Sequence, residues 1–207
     1  MEIKRVMIVG FGTMGHGIAQ VSVQAGYSVT GMDIDEKAFE RGMKSIDRSV
    51  SKLVEKGVLK EKKEEILGRL KMVKDLSLAK DADIVIEAVF ENVNVKKEVF
   101  KELDRLCPSH TILTSNTSAI PISEIASITK RPDRVVGTHF FFPVPVMRLV
   151  EVIKGVSTST ETLEATKKFA ASIGKSPVVV NFDIAGFLAN RAWIPMALEA
   201  MRLYEQG

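Results

Sequence analysis

The chain has 207 residues, 45% hydrophobic and 27% charged, enough for one full domain with a sizeable core and room for part of another. Its 29 Lys and Arg against 26 Asp and Glu leave a net charge of only +3, which does not point to nucleic acid as a partner. One cysteine, Cys107, excludes an intrachain disulfide framework and a zinc cluster, and no metal site is expected. That thiol is expected half-buried at a helix end, a poor nucleophile. The first strand is expected almost at once, so no cleavable signal is expected before it, and no apolar stretch approaches the ~20 residues of a membrane span. A cytoplasmic location without membrane contact is the expectation.

The apolar run Val6–Val9 predicts a buried strand and leads directly into Gly10, Gly12 and Gly15, after which Met14–Ala25 has helical spacing closed by Gly26. In a strand–turn–helix of this kind Gly10 permits a sharp reversal, Gly12 lets backbone N–H groups approach a pyrophosphate, and Gly15 lets the helix pack on its strand. The helix start then offers unpaired N–H donors to phosphate. A second strand, Tyr27–Met32, ends at Asp33, eighteen positions after Gly15, where a carboxylate binds both hydroxyls of an adenosine ribose and repels a 2′-phosphate. Ile34, Asp35 and Glu36 supply no arginine for such a phosphate, so NAD is expected rather than NADP.

From Asp35 to Gly57 the pattern is helical, with Phe39, Met43, Ile46, Val50, Leu53 and Val54 on one face and Lys44, Arg48, Lys52 and Lys56 on another. By composition alone the cationic line is a solvated face. A helical piece at 60–67 and a short strand at 70–73 complete a charged insertion. A strand at 84–88, Glu91, a helix at 93–106 and a strand at 111–114 follow, and the last ends in Ser115, Asn116, Thr117 and Ser118. These four polar residues are either part of a ligand site at a strand's carboxyl end or the cap of a helix over 120–128. Strand 134–138 ends at His139; strand 149–153 contains Glu151; a helix over 161–173 and a strand over 177–180 come next. The alternation predicts an α/β, doubly wound, mainly parallel sheet with helices on both faces. Gly186–Tyr204 reads as a helix apolar on several sides, which asks for more partners than one sheet face supplies.

Oxidation of a secondary alcohol by NAD needs a base for the hydroxyl proton, a carboxylate to fix that base's tautomer, and polar neutral groups for the oxygen. His139, Glu151, Ser118 and Asn190 supply one candidate for each role. Glu151, between Leu149, Val150, Val152 and Ile153, is either a buried carboxylate with a partner or the exposed residue of an edge strand.

The strings VGFGTMGHGIAQV, SNTSAI, GTHFFFPVPVMRLVEVI and DIAGFLANR, in this order and at these separations, resemble the NAD-dependent 3-hydroxyacyl-CoA dehydrogenase family over nearly the whole chain. The resemblance implies a Rossmann-type NAD-binding domain at 1–183 and, at 184–207, the start of a helical substrate and dimerisation domain. It implies interconversion of L-3-hydroxyacyl-CoA and 3-ketoacyl-CoA, with His139 as base and Glu151 as its partner. Ser118 and Asn190 are implied at the substrate oxygen. Gly10, Gly12, Thr13, Met14, Gly15, Asp33, Glu91, Lys96 and Ser118 are implied at the cofactor, and Ser49 and Lys56 at coenzyme A, which gives the cationic face an anionic ligand. A homodimer, or a partner over the last helix, is implied too. Phe142 stands where the family has asparagine, and Ala185 where it has proline. Two other readings remain: a non-catalytic NAD-binding module that recruits a partner, and a dehydrogenase of free hydroxy acids, which would not need the cationic helix.

Overall fold

The computed structural model describes residues 2–207; Met1, the first residue of the expected 1–183 unit, lies outside them. Eight strands form one sheet: β1 (Arg5–Val9), β2 (Ser28–Met32), β3 (Leu70–Val73), β4 (Ile84–Glu87), β5 (Ile112–Ser115), β6 (Val135–Phe140), β7 (Leu149–Ile153) and β8 (Ser176–Val180). Their order is β3-β2-β1-β4-β5-β6-β7-β8. Every pairing is parallel except β6 with β7. The helices are α1 (Gly15–Gln24), α2 (Glu36–Glu55), α3 (Lys63–Leu67), α4 (Val93–Leu106), α5 (Ile122–Ala126), α6 (Thr160–Ser172) and α7 (Ala189–Glu205).

Side chains alternate across each strand, so one run of apolar residues feeds two cores. Val6 and Ile8 of β1 pack with Ile18, Ile46 and Phe169 of α1, α2 and α6 on one face. Met7 and Val9 pack with Phe100, Leu103 and Ile125 of α4 and α5 on the other. This is the expected doubly wound arrangement.

Two expectations need correction, the end of β6 and the extent of the helix over 120–128, and one open alternative is decided. β6 does not stop before His139 but runs through Phe140, so the histidine sits inside a strand. Residues 141–148 turn the chain back, so that β7 runs antiparallel to β6. Of the two readings of Glu151, the edge-strand one fails, because β8 pairs along the other side of β7. The expected helix over 120–128 shortens to α5, since the Asp183 carboxylate accepts the Ile122 and Ser123 N–H groups and fixes the start after Pro121.

Candidate active site

The glycine turn is held by the backbone itself. Gly10 N–H donates to the Met32 carbonyl at 2.8 Å, which ties the turn to the end of β2. At φ +92°, a Cβ on Gly10 would lie 2.6 Å from the Ala88 carbonyl oxygen, and one on Gly15 would lie 1.8 Å from that of Gly10. Only glycine fits either place. A Cβ on Gly12, by contrast, would meet no heavy atom within 4 Å, so the space beside that backbone is open. Thr13 is exposed and Met14 half-buried. No side chain caps α1 and no acidic residue lies in its first turn, and apart from His16 and Ile18, whose N–H groups donate to the Gly12 and Met14 carbonyls, its first turn is open to an anion. At the end of β2, Asp33 Oδ2 accepts the Phe11 N–H at 2.6 Å and Oδ1 accepts that of Asp35 at 2.8 Å. Its carboxylate is thus already oriented beside the turn. The open approach at Gly12, the uncapped helix and the fixed acid together fit a dinucleotide.

His139 and Glu151 are direct cross-strand partners in the β6–β7 register. That pairing brings side chains on one face within reach. His139 Nδ1 and Glu151 Oε2 are 2.7 Å apart, and both residues are buried. Glu151 Oε1 accepts two further bonds at 2.8 Å, from the Leu188 and Ala189 N–H groups at the start of α7. Burial would raise this carboxyl. The bonds from His139, Ala189 and Leu188 outweigh it and hold the group below the ordinary carboxylate range. Gly186 (φ +81°) and Phe187 (φ +48°) make the bend that aims these two N–H groups. The buried Phe187 ring then lies 5.8 Å from the imidazole, with Phe141 at 4.5 Å. Asn190, one residue beyond Ala189, donates from Nδ2 to the Ser118 carbonyl at 3.4 Å. A continuous path therefore links Ser118, Asn190, Glu151 and His139.

The polar stretch after β5 serves both as a turn and as a tie between strands. Thr117 Oγ1 accepts the Ile120 N–H at 2.9 Å, and Asn116 Oδ1 accepts the Phe140 N–H beside His139 at 2.9 Å. Glu91 Oε1 accepts the Thr117 hydroxyl and the Ser118 N–H, at 2.5 and 2.8 Å. Lys96 donates to Glu87 at 2.7 Å and lies 3.3 Å from Glu91. The Lys96 side chain is 0% exposed, so it presents no surface to a cofactor in this structure and meets the site only through Glu91.

The two α2 residues are not joined to this group. Ser49 Oγ accepts a bond from Gln20 Nε2 of α1 at 2.8 Å, and Lys56 is exposed at the end of α2. Among the described residues, Lys44, Arg48, Lys52 and Lys56 have no carboxylate within ion-pair distance. Cys107 is more buried than expected, and burial pushes its thiol up to about 11, which removes it as a nucleophile.

Sequence reasoning missed Glu87, Lys175 and Phe187. Glu87 had a signal, a carboxylate ending the fully apolar run Ile84–Ile86, of the same kind that drew attention to Glu151. Lys175 is buried and donates to the Val144 and Met147 carbonyls, clamping the connection between β6 and β7. Nothing in its sequence neighbourhood announces this. Phe187 depends on a backbone bend that sequence spacing does not encode.

The sequence profile of the family described as "3-hydroxyacyl-CoA dehydrogenase, NAD binding domain" matches residues 5–184. The chain is 47% identical over 208 residues to a probable 3-hydroxybutyryl-CoA dehydrogenase of Bacillus subtilis, covering 100% of this chain and 72% of that protein. It is 42% identical over 212 residues to human mitochondrial hydroxyacyl-coenzyme A dehydrogenase, covering 99% of this chain and 67% of that protein. The crystal structure of 3-hydroxybutyryl-CoA dehydrogenase from Escherichia coli superposes with a TM-score of 0.95 at 40% identity, over 100% of this chain and 44% of that one. The glycine turn, the oriented Asp33 and these similarities lead to one conclusion: the chain belongs to the 3-hydroxyacyl-CoA dehydrogenase family and carries its NAD-binding domain.

Proposed function

We propose that this protein interconverts L-3-hydroxyacyl-CoA and 3-ketoacyl-CoA with NAD, using His139 as base and Glu151 as its carboxylate partner. The observation that carries the reading is the 2.7 Å bond between His139 Nδ1 and Glu151 Oε2, made while Glu151 Oε1 is taken by two backbone donors. A carboxylate only accepts, so Nδ1 carries the proton and Nε2 is left to accept one. In the oxidative direction Nε2 takes the substrate hydroxyl proton, and Glu151 stabilises the imidazolium. NAD, when bound, supplies the hydride acceptor. The Ser118 hydroxyl and the Asn190 amide donate to the oxygen that alternates between alcohol and ketone. Gly10, Gly12, Thr13, Met14 and Gly15 cradle the pyrophosphate, Asp33 the adenosine ribose, and Glu91 the nicotinamide side.

Ser49 and Lys56 bind coenzyme A, whose phosphates meet the unpaired cations of α2. α7 has no buried residue, with Trp193, Met196, Met201 and Tyr204 all exposed, which supports a homodimer or another partner over this helix. No helix among the described residues is long and apolar enough to cross a membrane. A cytoplasmic location completes the reading.

Acetoacetyl-CoA with NADH tests it directly. The unaltered protein should oxidise NADH with this thioester and far more slowly with acetoacetate. His139→Gln should lose about 10²–10⁴-fold in hydride transfer with NADH affinity nearly unchanged. An active His139→Gln variant, or equal turnover of acetoacetate, would overturn the proposal.

A further inference from the structure

Three charged groups stand in a row beside the site, two of them buried and the third exposed. Glu87 ends β4, is 0% exposed, and has every neighbour it can use: Oε1 accepts the Val89 N–H and the Lys96 ammonium, both at 2.7 Å, and Oε2 accepts the Ser115 hydroxyl at 2.6 Å. Lys96 is equally buried and reaches out of this pocket in one direction only, to Glu91 Oε2 at 3.3 Å. Glu91 in turn faces the cleft with 44% of its side chain exposed, and holds Thr117 and the Ser118 N–H with its other oxygen. One carboxylate and one ammonium are costly to bury, and a hydrophobic pair of similar volume would serve stability as well or better. The arrangement makes sense if its product is a fixed position for the one member that reaches the cleft.

We propose that Glu87 is a positioning residue for cofactor binding, acting through Lys96 on Glu91 and on the segment that carries Ser118. Glu87 anchors the ammonium from below, so that Lys96 cannot swing away from Glu91. The Ser115 hydroxyl locks the same carboxylate to the end of β5, three residues before Ser118. Burial would raise the Glu91 carboxyl, but the bonds from Thr117, Ser118 and Lys96 keep it low and therefore charged. The inference rests on the reading of Glu91 as a cofactor contact, and its test separates the two.

NADH affinity of the full chain, read by fluorescence titration, is the measurement. Glu91→Gln should weaken NADH by about tenfold, as loss of one charged hydrogen bond does. Glu87→Gln keeps the shape and should weaken NADH several-fold by itself, yet change it less than twofold in a Glu91→Gln background, because the two act in series. A Glu87→Gln, Lys96→Met double variant leaves no uncompensated ammonium to unfold the protein, and should show the loss of the single Glu87 variant or more. Unchanged affinity in both Glu87 variants while Glu91→Gln is impaired overturns the relay alone. An equal loss on adding Glu87→Gln to either background does the same, since it marks a merely structural effect. Wild-type affinity in Glu91→Gln overturns the relay together with the cofactor reading on which it rests.

Discussion

Replacing Glu151 by glutamine isolates the reasoning about the dyad, because the side chain keeps its size while one acceptor becomes a donor. The wild-type carboxylate accepts three N–H groups, from His139, Leu188 and Ala189. A glutamine amide can satisfy only one side. If its NH₂ turned toward α7, two backbone donors would lose their acceptor, at about 1–3 kcal/mol each. The amide oxygen therefore stays with Leu188 and Ala189, and the NH₂ faces His139 Nδ1. Nδ1 must then accept, the ring proton moves to Nε2, and the nitrogen that should take the substrate proton is blocked. A misplaced tautomer of this kind costs about 10³–10⁴-fold in rate, or about 4–5.5 kcal/mol in barrier. Single-turnover reduction of bound NAD by L-3-hydroxybutyryl-CoA, the direction in which Nε2 takes the proton, measures it, with NADH affinity expected to stay within about twofold, since no cofactor contact is touched. A rate within tenfold of the unaltered protein, at unchanged NADH affinity, would refute the tautomer argument.

The glycine turn yields a prediction in which stability and binding separate. Gly15→Ala drives a methyl into the Gly10 carbonyl and should lower Tm sharply, whereas Gly12→Ala meets only open space and should leave Tm nearly unchanged while weakening NADH by tenfold or more; equal effects on Tm would contradict the geometry. Acid should also act through particular groups. Asp83, Glu91 and Glu151 all have carboxyls lowered in the fold, Asp83 because the Lys4 and Arg5 N–H groups and the Arg5 guanidinium outweigh its burial. Lowered groups stabilise the fold above the ordinary carboxylate pKa of about 4 and lose that stabilisation as pH falls through their folded values. Tm should therefore be flat near neutrality and fall below about pH 4, with a shallower fall in Glu151→Gln; an identical acid profile in that variant would show that its carboxyl is not linked to folding.

Much of this was visible in the residues because the governing rules are local. Apolar runs broken by glycine or small polar residues mark buried parallel strands, and helical spacing between them marks the crossovers, so the alternation fixed the doubly wound class. The glycine turn and Asp33 were legible for the same reason: both depend on backbone within one β-α-β unit. The limits of β6 were not. His139 extends the strand because β7 returns beside it, a pairing that no local period contains. Glu151 shows the same boundary most clearly. Its sequence neighbours allowed either a buried partnered carboxylate or an exposed edge position, and only β8, packed along the far side of β7, decided between them.

The sequence by itself determined the sheet class, the nucleotide turn and the inventory of chemically able residues, since these follow from side-chain type and short-range spacing. The tertiary structure decided which of them work together. It set His139 opposite Glu151 by antiparallel register, gave that carboxylate's second oxygen to the start of α7, and buried Lys96 between Glu87 and Glu91. Each is a contact between segments far apart in the chain. Such contacts are chosen by the packing of whole elements, and that is information no stretch of sequence carries alone.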